Sequence, residues 1–320
     1  MKEFIIKENE ANQRFDKFLI KLLPNASKGF IYKMLRKKNI VCNGKKATGN
    51  EILSCGDSIK VFLSDETFLK FSQDEGKLIK EYEALKKLDM HGIDVIYEDD
   101  DMLVVNKPAN MLSQKATGGD ISANEYLLGY LIRNGSLEFE EFKTFRPSVC
   151  NRLDRNTTGL LLMGKSLNGL QMLSSMLKDR TLNKYYHAVV SGEVTTGKYL
   201  KGYLTKDSRS NTVKITDEAI DDTSVYIETS YEPIKVSKEC SLLEIHLITG
   251  KTHQIRAHLS SVGHPIIGDY KYGNGEINKK YKSQYNVKHQ LLHAYRLEFP
   301  DGKKIIAPKP NVFNEIMDKK

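Results

Sequence analysis

Asn151-Arg152-Leu153-Asp154-Arg155-Asn156-Thr157-Thr158-Gly159-Leu160-Leu161-Leu162-Met163-Gly164-Lys165 is the stretch on which the reading of this chain turns. A polar loop holding one carboxylate between two guanidiniums runs into the unbroken apolar run Leu160 to Met163. A short apolar run of this kind, bounded by turn residues, reads as a buried strand. Asp154 then sits at a strand's mouth. A carboxylate there loses solvation unless cations or hydrogen-bond donors hold it ionised, and Arg152, Arg155 and the Thr157 and Thr158 hydroxyls are the local candidates. The stretch taken alone favours the plainer reading, an Asp in a turn whose strain Gly159 relieves.

Working outward, Ile93 to Asp101, the apolar run Met102 to Val105 and Asn106-Lys107-Pro108 read as a hairpin with an acidic turn. Gln114 to Asp120 reads as a Gly-containing mobile loop, Ala123 to Arg133 and Leu167 to Lys178 as helices, and Asn183 to Gly192 as a strand. Residues 195 to 240 read as turns and short strands. Leu242 to Ile248 alternates into a Gly turn and a helix carrying Thr249-Gly250-Lys251-Thr252-His253-Gln254-Ile255-Arg256-Ala257-His258-Leu259. Gly250-Lys251-Thr252 is no phosphate-binding P-loop, because the earlier glycine that motif needs is Ile245 here. His253, His258 and His264 are five and six residues apart, so they do not stack on one helix face as metal ligands. Lys271 to His289 reads as a polar, lysine-rich loop, Leu291 to Phe299 as a strand, and Pro308 to Lys320 as a tail with one packed helical turn.

The N-terminal quarter has its own character. Residues 1 to 70 hold 12 Lys and 2 Arg against 8 acidic residues, three quarters of the chain's net charge of +8. Phe15, Phe18, Leu19 and Leu22 stand at helical spacing, and Pro24 ends that helix. Ser27 caps a second helix over 28–38, which turns Lys28, Lys33, Arg36 and Lys37 outward, and a small hairpin follows. So uneven a charge suggests a module for a polyanion. Residues 71–92 read as a partly helical linker with Leu78, Tyr82 and Leu85 on one stripe. No stretch has the ~18 consecutive apolar residues of a membrane span, and the first residues do not read as a signal peptide, so a cytoplasmic protein is expected. Cys42, Cys55, Cys150 and Cys240 have no Cys-x-x-Cys spacing and are expected to be buried small hydrophobes.

Arg152-Leu153-Asp154-x-x-Thr157-Thr158-Gly159 followed by Leu-Leu-Leu resembles the signature of the RluA family of RNA pseudouridine synthases. The chain departs from it at Asn151, where the family usually has His. Further blocks resemble the same family in order: Ile96 to Pro108, Lys184-x-Tyr186-x-Ala188, Thr249 to Leu259, and Leu292-His293-Ala294. The two short helices and hairpin of residues 1–70 resemble the S-four RNA-binding domain. The resemblance spans residues 14 to 300. It implies an α+β fold, with a central mixed, largely antiparallel sheet flanked by helices and loops over 93–320, a linker over 71–92 and a small N-terminal α/β RNA-binding domain over 1–70. It further implies that Asp154 is catalytic, that Arg256 pairs with it, that Tyr186 is the matching tyrosine, and that Arg152 stacks where a flipped base has left.

Isomerising uridine to pseudouridine changes no oxidation state, so neither cofactor nor metal is expected. The expected partner is RNA, favoured as large-subunit ribosomal RNA, and the expected state is a monomer. Arg152, Arg155, Lys28, Lys33, Arg36 and Lys37 are the RNA-binding candidates. A synthase acting on transfer RNA and a non-catalytic RNA-binding or ribosome-assembly protein on the same fold remain as alternatives. A hydrolase ranks last, because no second carboxylate stands near Asp154 in these blocks.

Overall fold

The computed structural model describes residues 1–207 and 212–318. Strand β1 (Lys2–Ile5), helices α1 (Phe15–Leu22) and α2 (Lys28–Arg36), and strands β2 (Ile40–Cys42), β3 (Lys45–Lys46) and β4 (Ser58–Val61) form an N-terminal lobe. Its antiparallel sheet runs β1-β4-β2-β3. Phe15, Phe18, Leu19, Ile31, Leu35 and Ile59 build its separate core. The Ser27 hydroxyl accepts the Phe30 N–H, so the helix stop and the cap anticipated around Pro24 both appear. Lys28, Lys33, Arg36 and Lys37 are exposed on or just past α2.

Helices α3 (Asp65–Phe71) and α4 (Glu75–Lys86) connect this lobe to the rest. Residues 71–92 are largely α4, and they are docked: Leu78 and Leu85 enter the larger core, Tyr82 Oη donates to Leu137 O, and Arg146 grips Glu81.

The larger lobe contains β5 (Asp94–Glu98), β6 (Met102–Lys107), α5 (Ala123–Arg133), α6 (Phe139–Phe142), β7 (Ser148–Val149), β8 (Thr158–Gly164), α7 (Leu167–Lys178) and β9 (Asn183–Ser191). It continues with β10 (Lys198–Asp207), β11 (Thr212–Thr216), β12 (Val225–Val236), β13 (Cys240–Leu247), α8 (Gln254–Ser261), α9 (Gly275–Tyr285), β14 (Leu292–Glu298), β15 (Lys304–Ile306) and α10 (Val312–Asp318). The main sheet runs β11-β10-β12-β13-β9-β14-β8-β6-β5, with β15 on β14 and β7 on β8. Every described pairing is antiparallel except β14 with β8, so the α+β class with a mixed, largely antiparallel sheet holds.

Leu160 to Met163 are fully buried in β8. Gly159 has φ +108°, and a Cβ there would stand 2.2 Å from Ala294 O on the parallel neighbour. Its role is close approach of two backbones at the sheet's centre as well as the relief of strain.

Three expectations fail. Within 195–240, β11 is short as expected and residues 208–211 lie outside the described residues, but β10 and β12 are long strands, because Gly202, Leu204, Ile227, Thr229 and Tyr231 supply one continuous buried face. Lys271 to His289 is no loop: Asn274 caps α9, and Tyr281 and Asn278 anchor it among the buried residues. Of the cysteines only Cys240 is buried, while Cys55 is exposed on a turn.

Candidate active site

The Asp154 loop spans the gap between β7 and β8 and is pinned on both sides of the carboxylate. Ser113 Oγ donates to Leu153 O and accepts the Leu153 N–H, both at 2.9 Å. Met111 N–H donates to Arg155 O at 3.0 Å, and Thr157 N–H closes a turn on Asp154 O. Asn151, the departure from the family pattern, ties the loop's start to β8: Oδ1 accepts the Leu162 N–H at 2.8 Å and Nδ2 donates to Leu160 O at 3.3 Å.

Lys107 stands at the end of β6, beneath this loop. Its ammonium is wholly buried and donates to the carbonyls of Pro108, Met111 and Arg155 at 2.8, 2.9 and 3.2 Å. Burial pushes its pKa down to about 7, against the pull of the Asp154 charge. Three carbonyls use all three N–H bonds of the ammonium. Lys107→Met therefore strips this donor from the Pro108 and Met111 carbonyls, while Arg155 O keeps the Met111 N–H; a loss of about 3 kcal/mol of stability is expected, read by denaturant unfolding against wild type.

The second half of the site comes from α8. Gln254 folds the preceding turn, accepting from Thr249 Oγ1 and the Lys251 N–H and donating to Glu228 O and Thr229 Oγ1. His253 holds a left-handed backbone at φ 56° just before the helix, a sparsely populated region for a residue with a side chain. Arg256, one turn in, donates Nη1–H to Asp154 Oδ2 at 2.7 Å. Its Nε and Nη2 donate to Asp269 Oδ2 and Oδ1 at 2.7 and 2.9 Å. One guanidinium thus serves two carboxylates, bidentate to one and single to the other.

Asp269 is the partner that the sequence reading passed over. Its side chain is wholly buried and also accepts the Lys271 and Tyr272 N–H groups. Burial alone would raise its pKa, but the Arg256 bonds and charge and those N–H groups hold it below the usual carboxylate value. Asn278 of α9 donates to Asp269 O and accepts the Gly268 N–H, so the helix found in place of a loop braces this turn. Asp269 is the second carboxylate not apparent from the sequence. Sealed from solvent and locked on Arg256, it is no acid for a hydrolytic reaction.

A second chain of hydrogen bonds approaches Asp154. Val213 N–H donates to Tyr272 Oη at 2.8 Å, which leaves the hydroxyl proton for His253 Nδ1 at 2.9 Å. The remaining proton of a neutral imidazole then lies on Nε2, 3.9 Å from Asp154 Oδ2. Burial lowers the His253 pKa although Asp154 opposes it, which favours that neutral form. His258 and His264 bond to Thr229 Oγ1 and Ser191 O. Among the described residues no group of three or more His, Cys, Asp or Glu is placed to hold a metal ion.

Asp154, Arg256 and Tyr186 line one cleft of about 1040 Å³, with Arg152 and Arg155 on its wall. Tyr186 is buried in β9, where burial and the Asp154 charge raise its pKa. Arg152 and Arg155, the Asp154 neighbours expected from the sequence to hold the carboxylate, are exposed, and the Thr157 and Thr158 hydroxyls meet Gln290 and His293 instead. Arg256 takes that part, with His253 Nε2 at 3.9 Å. Among the described residues the cleft wall carries eight cationic side chains and one carboxylate, Asp154, so it draws in a polyanion. Lys28, Lys33, Arg36 and Lys37 lie outside the cleft, in the N-terminal lobe.

Residues 101–261 match the family model described as RNA pseudouridylate synthase. Ribosomal large subunit pseudouridine synthase C of Rickettsia conorii is 34% identical over 288 residues, covering 88% of each chain. The synthase of the same name from Vibrio vulnificus is 30% identical over 295 residues, covering 92% of this chain and 87% of its own. The solved human RNA Pseudouridylate Synthase Domain Containing 4 has the same fold, with a TM-score of 0.55 at 19% identity over 75% of this chain and 95% of its own. The chain belongs to the RNA pseudouridylate synthase family, of which it is an RluA-type member.

Proposed function

We propose that this RNA pseudouridine synthase acts on uridines of large-subunit ribosomal RNA, with Asp154 as its catalytic group. The observation that carries the reading is Asp154 on the wall of a cationic cleft, bonded to an Arg256 that the buried Asp269 anchors from behind. In the reaction the N1–C1′ bond breaks, the base turns, the C5–C1′ bond forms, and the C5 proton leaves while N1 gains one. Asp154 serves either as base at C2′ or as nucleophile at C1′. Arg256 Nη1–H donates to its Oδ2 and holds the carboxylate in place. Tyr186 lies beneath the space for the base.

A stacked uridine is out of reach, so the nucleotide must leave its helix at a cost of a few kcal/mol. Arg152, exposed on the cleft wall, has the planar guanidinium suited to fill its place. The names of the Rickettsia and Vibrio relatives favour the ribosomal substrate over transfer RNA. No described helix is long and apolar enough to cross a membrane, which agrees with work in the cytoplasm. Mapping pseudouridine in ribosomal RNA from cells with and without the gene tests the substrate; an unchanged map refutes it.

Residues 1–70 act in this proposal as the RNA-binding domain, and 93–320 as the catalytic one. Replacing Lys28, Lys33, Arg36 and Lys37 together with Gln is expected to reduce the salt slope of RNA binding by about one for each phosphate no longer neutralised. Titrations at several salt concentrations check this, and a wild-type slope refutes the role.

A further inference from the structure

Among the described residues two lysines of the larger lobe are more than nine-tenths buried, and they differ in one respect. Lys107 spends its three N–H bonds on three carbonyls. Lys184, only 8% exposed near the start of β9, has no hydrogen-bond or ion-pair partner among the described residues. Its stem is buried while its ammonium reaches the cleft unpaired, and charges on side chains so little exposed are normally paired.

The surroundings of Lys184 sharpen the contrast. Its side chain lines the same cleft as Asp154. The neighbouring charge it feels is Arg180, another cation; burial first, and then that charge, lower its pKa. Arg180 stands in a left-handed conformation at φ 58°, just past the end of α7, and also lines the cleft with Lys178. Two cations held beside a third, with no acidic side chain among the described residues at this end of the cleft, are arranged for an anion that the chain itself does not supply. Lys184 and Tyr186 are two apart on one strand, so they share a face and lie about 6.6 Å apart along it. A group held by Lys184 is therefore a near neighbour of whatever lies over Tyr186.

We propose that Lys184, with Arg180 beside it, forms a built subsite for a backbone phosphate of the substrate RNA, adjoining the nucleotide delivered to Asp154. The inference rests on the function proposed above and adds the chemistry of one further contact. Lys184 differs from a rim lysine because its site is prepared before the RNA arrives: the phosphate removes an existing electrostatic penalty as well as adding attraction. Free phosphate shares this chemistry, and the RNA backbone is favoured because the subsite opens into the cleft that the RNA must enter.

The experiment compares wild type, Lys184→Met, Lys184→Gln and Lys184→Arg as full-length proteins, using unmodified large-subunit ribosomal RNA transcript as the probe. Binding is titrated between about 50 and 200 mM salt, and melting temperatures are read without RNA and with inorganic phosphate. Lys184→Met and Lys184→Gln are expected to bind about tenfold more weakly and to lose about 0.7 to 0.9 from the salt slope, the share of one phosphate, while Lys184→Arg keeps it. Without RNA, at least one of the neutral variants is expected to melt at or above the wild-type temperature, because the unpaired charge is gone. A wild-type salt slope in both neutral variants overturns the proposal. So does a lowered melting temperature in both with Lys184→Arg restoring it, which would make the lysine structural. Stabilisation of wild type by inorganic phosphate that disappears in both neutral variants, with RNA binding unaltered, assigns the subsite to free phosphate and overturns it too. Pseudouridine formation by wild type is measured on the same transcript. Its absence counts against the proposed substrate, whereas an active wild type beside unaltered Lys184 variants counts against this subsite alone.

Discussion

Asp154→Asn is expected to lower pseudouridine formation by about four orders of magnitude or more, the scale seen when an enzyme loses its central reacting group. The amide is nearly isosteric and its oxygen can still accept the Arg256 Nη1–H bond that the carboxylate accepts at 2.7 Å. The loop is held by Ser113, Met111, Lys107 and Asn151 rather than by this side chain. Folding and RNA affinity should therefore stay near wild type while turnover vanishes. A single-turnover assay on ribosomal RNA transcript with a parallel binding titration separates the two, and a mutant that retains turnover would remove Asp154 from the mechanism.

The second large effect is structural. Arg256→Met strands two carboxylates at once, and Asp269 is wholly buried. Breaking a buried pair by deleting one partner costs about 3–5 kcal/mol, on the order of 10 °C in melting temperature for a chain of this size. The pH dependence carries a sign. In wild type the Asp269 pKa is lowered, so its contribution is present above the unfolded carboxylate value and is lost as pH falls through the folded one. In Arg256→Met, burial acts without the guanidinium and raises that pKa, so the deficit is largest near neutrality and shrinks on acidification. Adding Asp269→Asn should recover much of the lost stability without restoring turnover. Calorimetry of the single and double variants from pH 5 to about 8 tests this, and an additive double variant would contradict the coupling.

Much of the architecture was legible because the informative segments carry one strong period each. Leu160 to Met163 announced β8 by an unbroken apolar run, α5 and α7 were announced as helices by their pattern, and α1 and α2 also by a stop at Pro24 and a cap at Ser27. The long strands β10 and β12 were obscured because one face is polar and exposed along most of its length. Helix α9 was obscured by five lysines between 271 and 289 that outweigh the signal from Tyr281. At the site, proximity of Asp154 and Arg256, 102 residues apart in sequence, came from family resemblance and not from spacing. Asp269, Lys107 and Lys184 were visible as letters, but their roles lie in what surrounds them: a second carboxylate on a shared guanidinium, three converging carbonyls, and the want of any partner among the described residues. Burial is a property of the assembled chain, and no local pattern reports it.

Strand β14 lies between β9 and β8, and it is built from residues 292 to 298. Among the described strands it alone joins the half-sheet bearing Asp154 to the half-sheet bearing Tyr186. Both halves precede this strand in the chain, so during synthesis each is expected to present an unpaired edge until residues 292 to 298 have been made. Pairings so remote in sequence form slowly, and open edges invite aggregation meanwhile. A nascent chain is therefore expected to bring Asp154 and Tyr186 together only once this strand is in place.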